Sequence, residues 1–169
     1  MQGDLLYAIC DSGYIRTNSC YTEASKFVSL NGKLILKNVH KFAEVYLLDG
    51  GELDLTGFHG TLQAKTNGGR LKYQLTEIHG ESIIEANKNP ESLEIFISDF
   101  VEENTGIHIE AGEIVFDPRV QHLENCLNGK VLQIEHLNAE MASDKLTVST
   151  LGTLKLGKMS WADTLNLKI

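Results

Sequence analysis

The chain has 169 residues, of which 42% are hydrophobic and 22% are charged, and its formal net charge is −8. This size predicts one domain with enough apolar residues for a core. The acidic balance argues against a nucleic-acid interface, which needs clustered positive charge, and against electrostatic docking on an anionic membrane.

The first 28 residues are the least repetitive part of the chain. They place Tyr7, Tyr14 and Tyr21 in a loop-like context, and they lack the basic and apolar leader that would predict secretion. We therefore expect residues 1–28 to form an N-terminal cap or a partial first coil. A repeat domain is expected over residues 29–169.

From residue 29 onward one short phrase recurs, in which a glycine turn is followed by alternating apolar and polar residues. Clear copies begin at Gly51, Gly69 and Gly112, and looser copies occur elsewhere. The first apolar residues of the phrases are Leu34, Leu53, Leu71, Leu93, Ile114, Leu132 and Leu154. They are 19, 18, 22, 21, 18 and 22 residues apart, with a mean of 20. This period predicts an all-β fold, a single-domain parallel β-solenoid of about seven coils with two or three strands in each.

Equivalent positions of successive coils stack above one another in a solenoid, so that like residues form columns. A β-sandwich, whose strands also recur at short intervals, gives no reason for such columns. Asn67 and Asn87, for example, are 20 residues apart. The inward positions of the expected core are Leu34, Leu36, Leu53, Leu55, Leu71, Tyr73, Leu93, Ile95, Ile114, Phe116, Leu132, Ile134, Leu154 and Leu156.

Three stretches interrupt the repeat, at residues 87–92, 102–106 and 117–128. Apolar residues at helical spacing occur at 120–127, just after an Asp-Pro pair that favours a helix start. One or two helical turns are therefore a candidate there, and an irregular segment is the preferred interpretation. Residues 146–148 predict an additional strand.

The residues at the C-terminal end predict how the last coil is covered. Terminal coils expose apolar columns and unpaired strand edges, which have to be covered. Residues 165–169 alternate apolar and polar side chains and predict a final strand. We expect either that Trp161 covers the last rung or that the final strand pairs with another chain.

Two neighbouring segments carry a resemblance to a known family. Residues 51–62 are Gly-Glu-Leu-Asp-Leu-Thr-Gly-Phe-His-Gly-Thr-Leu, and residues 66–73 are Thr-Asn-Gly-Gly-Arg-Leu-Lys-Tyr. Over residues 29–169 the chain resembles the adhesin repeat family, a largely uncharacterised group of β-solenoid domains with bacterial and animal members. The resemblance implies a binding role, with no catalytic motif to carry over. It also implies an intracellular protein, cytoplasmic or, as an alternative, mitochondrial.

Three histidines are the first candidates for chemistry. His40, His59 and His79 recur at intervals of 19 and 20 residues, and one column would space their rings by about 4.8 Å. Imidazoles at that distance could share a transition metal. Since a zinc site needs a third or fourth ligand close by, a ladder of turn residues is the favoured interpretation, and no metal is expected. Whether the three histidines share one column is left open, because the register is uncertain by one residue.

Carboxylates are the second candidates, because glycoside hydrolysis needs two of them about 5–10 Å apart across a cleft. The acids available are Glu52 and Asp54, Glu110 and Glu113, and Asp99, with Asp117 and Arg119 one coil further on. Alternating charges are also what any solvent-facing strand supplies. An aromatic content of 7% gives no sign of a sugar-binding cleft, so no catalytic residue is expected.

The cysteines Cys10, Cys20 and Cys126 lack C-x-x-C spacing and predict free thiols in a reducing, intracellular compartment. Cys126 is expected to be a buried structural thiol beside Leu123 and Leu127. No site residue and no cofactor is predicted on these grounds.

We therefore expect a non-catalytic β-solenoid that binds or scaffolds an unknown protein partner, with neither nucleic acid nor membrane as its ligand. Stacked coils favour this role because they produce extended surfaces. Two alternatives stay open. One is a carbohydrate-active β-helix enzyme that uses acidic surface residues. The other is a structural β-helix protein that self-assembles through its coil ends.

Overall fold

The computed structural model describes residues 2–135 and 143–160. The strands are β1 (Gln2–Cys10), β2 (Tyr14–Thr17), β3 (Tyr21–Ser29), β4 (Lys33–Lys37), β5 (His40–Leu47), β6 (Glu52–Asn67), β7 (Arg70–Ile78), β8 (Glu81–Lys88), β9 (Ser92–Ile97), β10 (Gly106–Glu110), β11 (Glu113–Phe116), β12 (Leu127–Asn128), β13 (Val131–Ile134), β14 (Lys145–Thr150) and β15 (Thr153–Lys158). The helices are α1 (Asp99–Asn104) and a 3₁₀ helix (Pro118–Cys126). Neither helix of these described residues has the length and apolar character that crossing a membrane requires.

Parallel pairing arranges the strands in two faces of a coil. Face 1 begins with β2, β4, the first half of β6, β7 and β9. Face 2 begins with β1, β3, β5, the second half of β6 and β8. Each of these turns gives one strand to each face, and the regularly wound part is a β-solenoid of about five turns. The predicted fold class is confirmed, whereas the expected count of about seven coils is corrected to about five.

The recurring phrase builds face 1 because alternate residues of a strand point to opposite sides. Leu34, Leu53, Leu71 and Leu93 occupy consecutive rungs in direct register, and each is at most 2% exposed. The other expected inward residues are buried as well, except for three that pack against the core while partly exposed, namely Ile114, Phe116 and Ile134. One continuous column of apolar side chains therefore runs through the solenoid.

Glycine is required at the turns before β6 and β7 because these turns stack too closely on the preceding turn for a side chain. Gly51 has a φ of 102°, and a Cβ there would lie 2.3 Å from the carbonyl oxygen of Gly32. A Cβ on Gly69 would lie 2.4 Å from the carbonyl oxygen of Gly51. The same carbonyls accept hydrogen bonds from the following turn, from the amide of Glu52 at 3.0 Å and from the amide of Arg70 at 2.9 Å. These glycines are thus the points where backbone packs directly on backbone.

Beyond β9 the order of the strands departs from the order of the sequence. β15 pairs in parallel with both β9 and β11, and β14 pairs in parallel with both β8 and β10. Ile114 and Leu154 do occupy rungs of face 1, but in the reverse of the expected order. Leu132 does not, because β12 and β13 form a hairpin whose second strand pairs antiparallel with β10 on face 2. The regular winding therefore ends before the predicted seventh coil. The additional strand expected at residues 146–148 is confirmed as part of β14.

The N-terminal segment is strand rather than loop. β1 pairs in parallel with β3, and β2 pairs with β4. β1 and β2 therefore form the first turn of the solenoid. Tyr7, Tyr14 and Tyr21 lie in β1, β2 and β3, and the expected loop-like context is wrong. At the other end, Trp161 and the strand expected over residues 165–169 lie outside the described residues.

Two short helices interrupt the strand repeat. The 3₁₀ helix covers most of the candidate at 120–127, so the preferred irregular interpretation is wrong there. It begins after Asp117, whose carboxylate accepts a hydrogen bond from the amide of Arg119 at 3.0 Å. α1 was not predicted, since six residues are too few for a helical period to be recognised. Its cap is Ser98, whose hydroxyl accepts a hydrogen bond from the amide of Val101 at 3.1 Å.

Candidate binding face

The outer side of face 1 carries pairs of opposite charge. Lys33 lies 2.6 Å from Glu52, which also binds Arg70 of the following rung. Lys155 lies 3.4 Å from Glu94 of the adjacent strand. The hydrogen bond from Lys33 lowers the pKa of Glu52, and the positive charge of Arg70 lowers it further. These charges already have partners on neighbouring rungs, so they do not need a ligand for neutralisation.

The outer side of face 2 is apolar over its first three rungs. Leu5, Tyr7 and Ile9 of β1 are 72%, 57% and 61% exposed. In register beside them lie Ala24, Lys26 and Val28 of β3, and then Phe42, Glu44 and Tyr46 of β5. The following rung presents Thr61, Gln63 and Lys65 and is polar. We call the apolar part the binding face, defined as Leu5, Tyr7, Ile9, Ala24, Val28, Phe42 and Tyr46.

A charged pair lies in the middle of the binding face. The ammonium of Lys26 is 3.2 Å from the carboxylate of Glu44 and 4.8 Å from the ring centroid of Tyr46. The hydroxyl of Tyr46 donates a hydrogen bond to Glu44 at 3.0 Å. Hydrogen bonding to Glu44 raises the pKa of both Lys26 and Tyr46. The polar groups in the middle of the face are therefore satisfied within it, while Leu5, Tyr7, Ile9 and Phe42 around them are exposed.

A ladder of three rings runs along one margin of the binding face. The ring centroids of Tyr21 and His40 are 4.3 Å apart, with 23° between their planes. Those of His40 and His59 are 4.7 Å apart, with 8° between their planes. The ladder lines an open groove of about 570 Å³ together with Phe42 of the binding face and Glu77 of β7. The parallel strand register produces this ladder, because equivalent residues of successive turns lie side by side.

The sequence leaves open whether the three histidines share one column, and in the structure His40 and His59 stack while His79 lies outside the stack. A shift in register between β6 and β7 makes Glu77 the partner of His59, and His79 lies two residues further on. The ring of His79 is instead 3.3 Å from Glu77 and 3.9 Å from Asp144. Within residues 2–135 and 143–160, no group of three or more His, Cys, Asp or Glu side chains has the geometry of a metal site.

Burial lowers the pKa of both stacked histidines. For His40 the loss of solvation outweighs the opposing effect of the Glu77 carboxylate. For His59 the loss of solvation is again the largest cause, and the nearby charge of a protonated His40 adds to it. Both rings are therefore neutral near pH 7. Protonating both would place two positive charges on rings whose centroids are 4.7 Å apart.

The histidine stack predicts that the protein loses stability in mild acid. Below the ordinary histidine pKa of 6.5, the unfolded chain takes up protons at His40 and His59 before the folded chain does. Protonation then favours unfolding, so the free energy of unfolding is highest above pH 6.5 and falls as the pH is lowered toward the depressed folded values. Urea denaturation between pH 7.5 and about pH 5.5 measures this slope.

Two variants identify the source of that slope. His59→Gln removes one ring of the stack, and we expect the dependence on pH to become shallower. His108→Gln, which replaces an exposed histidine on β10, is the matched control and should keep the wild-type slope. Equal slopes for the wild type and His59→Gln would contradict the assignment to the stack.

The acidic candidates are distributed over different parts of the solenoid. Glu52 and Asp54 lie on the outer side of face 1, Glu110 lies on face 2, and Glu113 accepts a hydrogen bond from Thr153 at 3.1 Å. Asp99 pairs with Lys158 at 2.7 Å, and Asp117 pairs with Arg119 at 3.1 Å. The expectation that Asp99 and Asp117 lie one coil apart is wrong, because β15 is inserted between the strands that precede them.

The three cysteines are free thiols, as predicted. Cys20 is buried, and Cys10 donates a hydrogen bond to the hydroxyl of Ser29 at 3.3 Å. Cys126 is exposed, so its expected burial beside Leu123 is wrong. The 3₁₀ helix turns Val120 and Leu123 toward the core and leaves Cys126 on its solvent side.

Sequence reasoning missed the binding face. Residues 5–10 are Leu-Leu-Tyr-Ala-Ile-Cys. Because both the odd and the even positions are apolar, this segment predicts a strand with two apolar sides. Comparison with known proteins does not assign the face, since no family model, no curated protein and no solved structure matches the chain. The geometry of the two outer sides is therefore the basis on which a function can be argued.

Proposed function

We propose that the chain is a non-catalytic β-solenoid module that binds or scaffolds a protein partner through the binding face. The observation that supports this proposal is the contrast between the two outer sides. Charged pairs join neighbouring rungs of face 1, whereas the first three rungs of face 2 expose Leu5, Tyr7, Ile9 and Phe42. Clustered exposed apolar side chains on one side of a domain are typical of protein interaction sites. A relationship to the adhesin repeat family, which we propose from residues 51–62 and 66–73, would imply the same binding role.

The binding face combines exposed aromatic and aliphatic side chains with one ion pair in its middle. Tyr7 and Phe42 provide aromatic anchors, and aromatic residues are enriched at the energetically dominant positions of interfaces. Lys26 and Glu44 are paired with each other at 3.2 Å and do not need a charged partner. We expect the partner to offer a largely apolar surface. An intracellular location, with neither nucleic acid nor membrane as ligand, belongs to the same proposal.

The carbohydrate-active alternative gains no support from the acidic residues. A general acid needs a raised pKa, so that it carries a proton at neutral pH. The pKa of Glu52 is lowered instead, by Lys33 and Arg70. The pKa of Asp117 is also lowered, by the hydrogen bonds that its carboxylate accepts from Arg119. These ion pairs are what a solvent-facing strand surface provides, and we propose no reaction for them.

A matched pair of surface variants tests the proposed face. Tyr7→Arg combined with Phe42→Arg places two charges in the binding face, whereas Tyr14→Arg changes a tyrosine on face 1 that is more exposed than Tyr7. We expect proteins that co-purify with the wild type to be recovered with Tyr14→Arg and to fall by about tenfold or more with the double variant. Quantitative mass spectrometry of affinity-purified samples measures the recovery, and thermal unfolding confirms that each variant is folded. The same partners at the same recovery with all three proteins would refute a binding role for this face.

A further inference from the structure

The out-of-order position of β14 and β15 is the least expected feature of the fold. We call residues 143–160 the insertion arch. β14 lies between β8 and β10, and β15 lies between β9 and β11. Between β9 and β11 the chain therefore advances by two rungs, about 10 Å, instead of the usual single step of about 4.8 Å. This step leaves a gap of one rung between β9 and β11, which we call the slot, and the insertion arch fills it.

The insertion arch fits the slot with the packing of a regular rung. Leu146, Val148, Leu154 and Leu156 are at most 1% exposed and continue the apolar core. Backbone hydrogen bonds join the arch to both sides of the slot. On one side the amide of Lys145 donates to the carbonyl of Gly80 at 2.9 Å. On the other side the amide of Asp117 donates to the carbonyl of Leu156 at 2.8 Å. Without the arch, both faces would present unpaired strand edges on each side of the slot.

Polar contacts hold the two ends of the arch. The ammonium of Lys158, whose side chain is 15% exposed, lies 2.7 Å from Asp99 and also binds Glu102 of α1. Glu102 is in turn 2.6 Å from the ring of His122 in the 3₁₀ helix. At the other end, the carboxylate of Asp144 accepts a hydrogen bond from the amide of Gly80 at 2.7 Å. The slot therefore recognises the arch by charge as well as by shape.

These contacts join residues that are far apart in the sequence. The hydrogen bond between Gly80 and Asp144 spans 64 residues, and the contact between Glu94 and Lys155 spans 61. Thr153 and Glu113, on the other side of the slot, are 40 residues apart. Successive turns of the first part are only about 20 residues apart, so each turn packs on the preceding one by closing a short loop. The arch has to close a much longer loop to reach its slot. Its own chain therefore favours it over a second copy only through the effective concentration that the connecting segment provides.

We propose that the slot is a strand-exchange site, in which the insertion arch of a second copy of the chain takes the place of its own. Two copies would then exchange arches reciprocally and form a closed dimer with two-fold symmetry. The contacts described between arch and slot can form equally with the arch of a second copy, because the same residues meet in both cases. The proposal is independent of the binding face and stands or falls without it.

Isotope-coded disulfides across the slot test the exchange. Glu94→Cys with Lys155→Cys reports on the slot, because these outward-facing residues are register partners on β9 and β15. Glu52→Cys with Arg70→Cys is the matched control, since these residues are register partners on turns that follow each other in the sequence. Both pairs are made with Cys126→Ser, which removes the exposed native thiol. Equal amounts of ¹⁴N and ¹⁵N protein are unfolded, mixed, refolded at about 1 µM and at about 1 mM, and oxidised.

We expect refolding at the higher concentration to raise the dimer fraction by about tenfold or more, as a second-order exchange requires. Half of the slot disulfides in those dimers should join a ¹⁴N-labelled chain to a ¹⁵N-labelled chain. The control disulfides should remain within one chain. Dimers whose slot disulfides all lie within single chains would overturn the proposal. The wild-type chain is carried through the same refolding, and a wild type that stays monomeric at both concentrations would also overturn it.

Discussion

Replacing Gly51 by alanine should lower the free energy of unfolding by about 3–5 kcal/mol, which combines backbone strain with steric overlap. Gly51 has a φ of 102°, where an L-residue is strained, and its Cβ would lie 2.3 Å from the carbonyl oxygen of Gly32. That oxygen accepts the hydrogen bond from the amide of Glu52, so moving it away would also weaken the contact between two turns. Urea denaturation at pH 7.5 measures the loss.

The neighbouring Gly50 provides the control for that change. Its φ of 84° also lies in the region that is unfavourable for alanine, but a Cβ there has no atom within 4 Å. Gly50→Ala should therefore cost only the backbone strain, about 1–2 kcal/mol. If the two variants lose the same stability, the close stacking of the turns does not explain why glycine opens the repeated phrase.

Leu156→Ala should lower the free energy of unfolding by about 2–5 kcal/mol, because it leaves a cavity in a fully buried part of the core. Leu156 is 0% exposed and lies in β15, between β9 and β11. We expect amide hydrogen exchange to accelerate in β9 and β11, ahead of β5 and β6 in the first turns. Lys155→Ala, on the outer side of the same strand, should stay within about 0.5 kcal/mol of the wild type.

The location of the accelerated exchange is the decisive measurement. If strands were stacked in sequence order, Leu156→Ala would loosen β13 and leave β9 unaffected. Exchange that accelerates in β13 alone would contradict the inserted position of β15. A loss of stability without any local acceleration in β9 or β11 would contradict it as well.

The parallel β-solenoid could be predicted from the sequence because its period is encoded locally. Most copies of the phrase carry their own turn glycine and their own inward apolar residues, as at Gly51, Leu53 and Leu55. Neighbouring coils then pair in register, since a slip by one residue would turn the leucines to solvent. The number of coils could not be obtained in this way. Counting phrases treats Leu132 as a rung, although its strand turns back as part of a hairpin.

Which residues of neighbouring turns lie side by side depends on register shifts that the sequence does not predict. A register shift places Glu77 rather than His79 beside His59, and another places Lys88 rather than Asn87 beside Asn67. Equal spacing in the sequence therefore did not ensure equal position in the structure. The binding face was missed for a related reason. Which side of β1 faces outward follows from its pairing with β3, because residues 5–10 are apolar on both sides.

The inserted position of the arch also sets an order of events during protein synthesis. The first five turns need only residues that have already been made, so each can pack on the preceding turn as the chain grows. β10 and β11 have no such support, because the strands that join them to the fifth turn are β14 and β15. About 40 residues separate Phe116 from Lys158, and a ribosome that adds about 5–20 residues per second needs about 2–8 s to make them. During that interval the end of the fifth turn is an open strand edge on which other nascent chains or chaperones can act.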